Sequence, residues 1–225
     1  MLLAIDTATN VPSIALYDAQ GVLGEMTWRT YEHHTRSLMP EITRLTELLN
    51  LDARLVQAIA VANGPGSFTG LRIGLSAAKG LAYSLNAALL GVPTLDITAN
   101  ACAQQPLPIC AVILAGRGRY AAAMYRVERE VAVRAGDYWF GTAESIAAHA
   151  AATMSEPFLL VGETDAALRA EMQLQCGARV VLAHQASNLR RAGFLAELAW
   201  RRWQAGEVDD LQTLAPFYIP TAALA

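Results

Sequence analysis

The stretch that decides the fold is Gly64-Pro65-Gly66-Ser67-Phe68-Thr69-Gly70-Leu71-Arg72-Ile73-Gly74. A strand-like run, residues 57–62, precedes it, and an apolar helical stretch, residues 71–85, follows it. A strand, a glycine-rich turn and a helix in this order direct backbone N–H groups towards an anion or a partner. Ser67 or Thr69 is expected to cap the helix. The order predicts an α/β fold, with the turn placed to contact an anion or a partner.

The glycine-rich turn satisfies neither of two common phosphate-binding motifs. A dinucleotide fingerprint that starts at Gly64 needs a glycine at the position of Thr69. The ATP-binding P-loop needs Gly-Lys-Ser or Gly-Lys-Thr, which is absent after the turn. Two interpretations therefore stay open: a binding turn, or a turn whose glycines let the helix pack closely on a sheet.

The order of predicted elements repeats along the chain. Strands at residues 2–5, 13–17 and 22–28 precede a helix at 36–50, a strand at 58–62 and the helix after the glycine turn. Beyond Pro93, strands at 109–114, 121–127 and 130–134 precede helices and strands that alternate up to a last helix ending near Gly206. The repetition predicts two similar lobes, residues 1–100 and 101–225, each with a mixed sheet flanked by helices.

Composition narrows the classes of function. The net charge of −3 argues against tight autonomous binding to nucleic acid, which relies on cationic contacts to phosphate. Cys102, Cys110 and Cys176 show no Cys-x-x-Cys spacing, so we expect reduced thiols in a cytoplasmic protein. The first residues lack the basic segment of a signal peptide, and no apolar run approaches the ~18 residues of a membrane helix.

The glycine-rich stretch and the opening Ala4-Ile5-Asp6-Thr7-Ala8-Thr9 together resemble the TsaB (YeaZ) family. Gly91-Val92-Pro93-Thr94-Leu95 and Pro216-Phe217-Tyr218 extend the resemblance over the length of the chain. It implies a two-lobed actin-like ATPase (ribonuclease-H-like) fold of the glycoprotease-like superfamily. It also implies a role in the threonylcarbamoyladenosine modification of bacterial tRNA.

The resemblance implies a non-catalytic scaffold that pairs with the catalytic subunit TsaD and works with the ATPase TsaE. Threonylcarbamoyl is then transferred to adenosine of ANN-decoding tRNAs, and tRNA contacts this chain only through the complex. No cofactor is expected on the chain itself, and ATP or ADP is expected at the partner complex. The alternative is a stand-alone actin-like ATP-dependent kinase or carbamoyltransferase that uses Asp6 and the glycine turn.

An actin-like ATPase places an acidic residue of its first hairpin near the phosphates and their metal. Asp6, Thr7 and Thr9 occupy that place here, either as a vestigial nucleotide site or as caps of a turn. The corresponding segment of the second lobe, residues 114–120, contains no carboxylate. Because Mg²⁺ is bound through carboxylates, water and phosphate, this absence argues against ATP hydrolysis by the chain alone.

Other catalytic and binding patterns are weak. The neighbouring His33 and His34 cannot share a helix face, so no metal site is expected. A glycoprotease activity lacks support because there is no His-Glu-x-x-His and no nucleophile with a recognisable base. An arginine cluster either touches tRNA phosphate or forms a solvated sheet edge, and we favour the edge. Its members are Arg117, Arg119, Arg126, Arg129 and Arg134.

Two helices of the first lobe are predicted to form one apolar surface for a partner. Its residues are Leu38, Ile42, Leu45, Leu49, Leu71, Gly74, Leu75, Ala78 and Leu81. The second helix is apolar or small over more than one face, which predicts burial on two sides. Gly70, Gly74 and Ala78 recur every four residues, so we expect another backbone to approach there. The expected contact has two helices from each subunit, and the chain alone is expected to form a two-fold homodimer.

Overall fold

The computed structural model describes residues 1–29, 34–116 and 118–218, and only the backbone of residues 34–36. Its strands are β1 (Leu2–Asp6), β2 (Ser13–Asp18), β3 (Gly21–Thr27), β4 (Ala58–Gly64), β5 (Ala88–Pro93), β6 (Ile109–Gly116), β7 (Arg119–Glu128), β8 (Val131–Arg134), β9 (Trp139–Thr142), β10 (Phe158–Gly162) and β11 (Val180–Leu182). Its α-helices are α1 (His34–Leu48), α2 (Phe68–Leu85), α3 (Thr94–Asn100), α4 (Ala143–Thr153), α5 (Ala166–Cys176) and α6 (Ala192–Gln204). Contacts divide the chain into a first unit, Met1–Ile97 with Arg191–Phe217, and a second unit that contains Thr98–Arg190.

The first unit is built on a sheet whose described strands follow the order β3-β2-β1-β4-β5. β1 pairs antiparallel with β2 and parallel with β4. All of β1 is buried, as its run of apolar residues requires in a strand covered on both faces. Because side chains alternate along a strand, Leu3 and Ile5 face α1 and α2, whereas Leu2 and Ala4 face α6.

The last helix, α6, packs on the sheet of the first unit. Its apolar stripe, which includes Ala192, Leu195 and Ala199, lies in the same cluster as Leu2 and Ala4. The predicted C-terminal lobe of residues 101–225 includes this helix, and the structure differs from that prediction because the helix belongs to the first unit. Periodicity reveals that a helix has an apolar stripe, but it does not reveal which sheet receives the stripe.

The second unit repeats the strand arrangement of the first. Its described strands follow the order β11-β10-β6-β7-β8, and β9 pairs with β7. The first strand, β6, is antiparallel to β7 and parallel to β10, as β1 is to β2 and β4. Helices α4 and α5 bury their apolar side chains against this sheet. The predicted class, an α/β fold with a mixed sheet flanked by helices in each half, is confirmed.

Glu25 of β3 holds the N-terminus of α6. Its Oε1 accepts a hydrogen bond from the Gly193 amide at 3.1 Å, and its Oε2 pairs with Arg191 Nη2 at 2.5 Å. We expect Glu25→Ala to lower the free energy of unfolding by about 2 kcal/mol, because it removes a charge-assisted cap from a nearly buried carboxylate. Urea denaturation measures this change. As a control, Glu207→Ala removes an exposed ion pair with Arg202 and should change stability by about 0.5 kcal/mol or less. Equal effects of the two variants would contradict the capping role.

Candidate partner interface and glycine turn

The glycine turn joins the end of β4 to the start of α2. Ser67 is the N-cap, because its Oγ accepts a hydrogen bond from the Gly70 amide at 3.2 Å. The backbone amide of Ser67 donates to the Ala8 carbonyl at 2.8 Å, which ties the turn to the β1–β2 connection. The amide of Phe217 donates to the Asn63 carbonyl at 2.7 Å, on the other side of the turn. The structure thus brings three of the four sequence segments of the resemblance into one place.

The glycines of this region pack closely against the β1–β2 connection. A Cβ added at Gly66 would lie 2.6 Å from the Ala8 carbonyl oxygen. A Cβ at Gly70 would overlap the Thr7 carbonyl oxygen, and one at Gly74 would overlap the Thr7 hydroxyl. The close approach that the glycine spacing predicts is therefore made within the chain. The expectation that Gly70 and Gly74 meet a partner is wrong in this respect.

The three residues proposed as a vestigial nucleotide site make hydrogen bonds within the chain. Asp6 and Thr7 are each only 1% exposed. The Asp6 carboxylate accepts a hydrogen bond from the Ala8 amide at 2.9 Å, and the Thr7 hydroxyl donates to the Gly70 carbonyl at 2.7 Å. The Thr9 hydroxyl donates to the Asn10 side chain at 3.3 Å. Asp6 thus caps a turn and Thr7 ties the β1–β2 connection to α2, and nucleotide binding here stays a prediction.

Two carboxylates outside the predicted site residues, Glu163 and Asp165, contact the end of β6 and the start of β7 respectively. Glu163 accepts a hydrogen bond from the Leu114 amide at 2.8 Å and pairs with buried Arg190 at 3.0 Å. Asp165 caps α5 through the Leu168 amide and accepts a hydrogen bond from the Tyr120 hydroxyl. Both follow the buried strand β10, which is the signal that could have found them. Each serves an internal contact rather than an open metal site.

The pKa values in this region follow from those contacts. The Leu168 amide, and after it the Tyr120 hydroxyl, hold the pKa of Asp165 below its usual value against the opposing effect of burial. Burial, with the neighbouring Asp165 carboxylate, raises the pKa of Tyr120 to about 12. At neutral pH, Asp165 is therefore a carboxylate that accepts a hydrogen bond from the neutral Tyr120 phenol. These protonation states are those of a pair that stabilises the fold.

Metal-ligating residues do not converge in the part of the chain that the structure describes. Residues 1–29, 34–116 and 118–218 contain no group of three or more His, Cys, Asp or Glu side chains that could hold a metal ion. His33, Arg117 and the side chain of His34 lie outside the described residues. Burial raises the pKa of the Cys110 thiol to about 12, so it stays protonated at neutral pH.

We expect the purified chain to hydrolyse no ATP above background, because Asp6 and Thr7 already serve the fold. Asp6→Ala should remove a turn hydrogen bond and lower the free energy of unfolding by about 1 kcal/mol. Steady-state phosphate release and urea denaturation on the same two preparations measure both effects. Turnover in the wild-type chain that Asp6→Ala abolishes would contradict this prediction.

The residues predicted to face a partner lie mostly in the core of the first unit. Leu49 and Leu81 are half-buried and the other seven are buried; these are Leu38, Ile42, Leu45, Leu71, Gly74, Leu75 and Ala78. Each helix has one dominant apolar stripe, and this stripe packs against the sheet of the same chain. The residues predicted for the interface therefore lie on the inward faces of both helices, and a partner contact through these helices stays a prediction.

The outward face of the same helices carries a second apolar surface, which we call the α1–α2 outer face. It surrounds a shallow groove of about 380 Å³. Its residues are Met39, Arg72, Ile73, Ser76 and Ala77, which line the groove, and Phe68, which lies beside Arg72. Met39 is 44% and Phe68 54% exposed, and the Arg72 guanidinium lies 3.8 Å from the centroid of the Phe68 ring. The signal in the sequence was the spacing of Ile73, Ala77 and Leu81 beside the core stripe of α2.

Comparison with known proteins places the chain in a family. The family model of TsaD, tRNA N6-adenosine threonylcarbamoyltransferase, matches residues 13–224. The chain belongs to this family. Within the TsaD family, its resemblance to TsaB (YeaZ) proteins is confirmed by sequence and structure.

Among TsaB relatives, the proteins of Escherichia coli (strain K12) and Bacillus subtilis (strain 168) are each 36% identical, over 94 and 98 residues. These matches cover 42% and 44% of this chain, but only 40% and 43% of the two curated relatives. The solved structure of YeaZ from Pseudomonas aeruginosa is 25% identical with a TM-score of 0.83, and covers 97% of this chain and 99% of that chain. No helix in the described part of the chain is long and apolar enough to cross a membrane.

Proposed function

We propose that this chain is the non-catalytic scaffold subunit of the machinery that transfers threonylcarbamoyl to adenosine of ANN-decoding tRNAs. It acts by heterodimerising with a TsaD-like catalytic subunit. Its TsaB relatives are described as tRNA threonylcarbamoyladenosine biosynthesis proteins, which supports the pathway. One observation carries the proposal: a chain of the TsaD family uses the polar groups at its glycine turn internally and exposes an apolar groove on α1 and α2.

The groove of the α1–α2 outer face is suited to bind a helix of a partner with a related fold. Small side chains at Ser76 and Ala77 let a second helix approach, while Met39 and Phe68 supply apolar area around them. A catalytic subunit of the same family would present the equivalent helix pair. The contact then has two helices from each subunit, and the chain alone pairs with itself as a two-fold homodimer.

The roles of tRNA and ATP in the proposal follow from the net charge of the chain and from the expected lack of ATP hydrolysis by the chain alone. With a net charge of −3, the chain does not bind tRNA tightly by itself and depends on the complex for this contact. ATP or ADP belongs to the complex, where a TsaE-like ATPase supplies hydrolysis that this chain lacks. The assembly works in the cytoplasm.

Complex formation tests the proposal directly. The full chain is mixed with a TsaD-like subunit from the same source, and the mass of each species is measured by light scattering after gel filtration. We expect a one-to-one heterodimer to replace the homodimer of the isolated chain. Separate elution of the two proteins at micromolar concentration would overturn the proposed pairing.

A further inference from the structure

The second unit contains a groove at the point where β7 changes its outer partner. Pairing of β7 with β8 ends at Tyr125 and Arg134, and its pairing with β9 begins at Ala122 and Trp139. Residues 135–138 therefore span a stretch of β7 that holds only residues 123 and 124, so the outer chain must bulge. Gly136 has a φ of +101°, which lets the chain turn away from the sheet. The resulting groove has a volume of about 660 Å³.

The groove joins aromatic rings with charged groups of both signs. The side chains that matter are Arg126, Asp137, Tyr138, Trp139, His149 and Glu156. The His149 ring lies 4.1 Å from the Trp139 ring, measured between centroids, and the Arg134 guanidinium lies 4.4 Å from the Tyr138 centroid. Neighbours thus hold both large rings in place, which lowers the entropy lost when a ligand binds.

The lining matches the chemistry of a nucleotide. Flat rings such as Tyr138 and Trp139 stack on nucleobases of any sequence. Carboxylates such as Asp137 and Glu156 accept hydrogen bonds from the exocyclic amino group of a base. A guanidinium such as that of Arg126 pairs with phosphate through charge-assisted hydrogen bonds.

We propose that this groove binds a nucleoside 5′-phosphate whose base carries an amino group, either as a free nucleotide or as an unpaired nucleotide of RNA. The volume lies in the range of about 300–1,000 Å³ that is usual for ligand sites. Arg126, Asp137 and Glu156 are exposed at the groove, so a purely apolar ligand would leave these charges in water, whereas a nucleotide engages charges of both signs. The site is separate from the glycine turn, lies within the second unit, and does not depend on the proposed scaffold function.

Calorimetry on the full isolated chain tests the proposal with AMP as the probe. We expect one AMP per chain, and Arg126→Gln should weaken the affinity about tenfold, because it removes a charge-assisted contact to phosphate. Arg129→Gln is the matched control: it removes the same charge from the same hairpin, outside the groove, and should leave the affinity unchanged. No binding of AMP, GMP or CMP at millimolar concentration, or equal weakening by both variants, would overturn the proposal.

The position and the source of the nucleotide need separate measurements. In NMR spectra, AMP should shift the indole N–H signal of Trp139, which the variant Trp139→Phe identifies, and should leave those of Trp200 and Trp203 in place. Shifts confined to the glycine turn would overturn this location. If a single-stranded adenosine pentanucleotide RNA displaces AMP and binds more tightly, the source is RNA. If AMP binds and the RNA does not compete, the source is a free nucleotide.

Discussion

Gly70→Ala is expected to lower the free energy of unfolding by about 2–3 kcal/mol, the upper part of the range for overpacked sites. The added methyl group overlaps the Thr7 carbonyl oxygen, which belongs to the backbone and cannot rotate away. The better helix propensity of alanine, worth about 1 kcal/mol, offsets only part of the clash. Gly74→Ala should act in the same direction, because its methyl group meets the Thr7 hydroxyl.

Gly80 supplies the matched control for this prediction. It lies in the same helix, and nothing is within 4 Å of the position that its Cβ would take. Gly80→Ala should therefore stabilise the protein by about 0.5–1 kcal/mol. Urea unfolding of both variants measures the contrast. If Gly70→Ala were as stable as the wild type, the close packing of the β1–β2 connection against Gly70 would not require a glycine.

Ala77→Arg is expected to weaken binding of the TsaD-like subunit at least about 100-fold, which corresponds to about 2.7 kcal/mol. Ala77 is half-buried at the groove of the α1–α2 outer face, where a long charged side chain would block a second helix and lose its water. The fold should persist, because Ala77 is not one of the buried core residues of α2. Surface-immobilised binding measurements give the affinity, and thermal unfolding checks the fold.

Ala148→Arg is the control for the interface variant. Ala148 is an exposed alanine of a helix in the second unit, so the substitution adds the same side chain to a helix that is not part of the α1–α2 outer face. It should leave the affinity for the catalytic subunit unchanged. An equal loss of binding in both variants would indicate a general charge effect and would remove the argument for the outer face.

The sequence was sufficient for the fold class because its signals were local. Periodic runs such as residues 58–62 and the glycine turn required no knowledge of distant contacts. β5 was missed because a continuous apolar run cannot be told from a buried helix by its period, and β9 and α3 were missed because they are short. The groove beside β9 was missed with them.

The assignment of surfaces failed for a different physical reason. Small residues at a spacing of four residues permit close approach, but the same spacing serves a contact within the chain and a contact between chains. Thr7 proved to be the neighbour of Gly70 and Gly74, and it lies more than sixty residues away in sequence. Glu25 and Arg191 are even further apart in sequence, although their side chains form an ion pair. No local pattern could therefore reveal that α6 returns to the first sheet.

The most direct test of the scaffold function is the amount of threonylcarbamoyladenosine formed on an ANN-decoding tRNA transcript. The reaction contains TsaD-like and TsaE-like proteins, ATP and a threonylcarbamoyl donor, with this chain as wild type, as Asp6→Ala, as Ala77→Arg, or omitted. We predict product with the wild type and with folded Asp6→Ala, and little or none with Ala77→Arg or without the chain. Full product formation in the absence of the chain would contradict the scaffold function. Loss of product with an Asp6→Ala variant that still binds its partner would contradict the non-catalytic role.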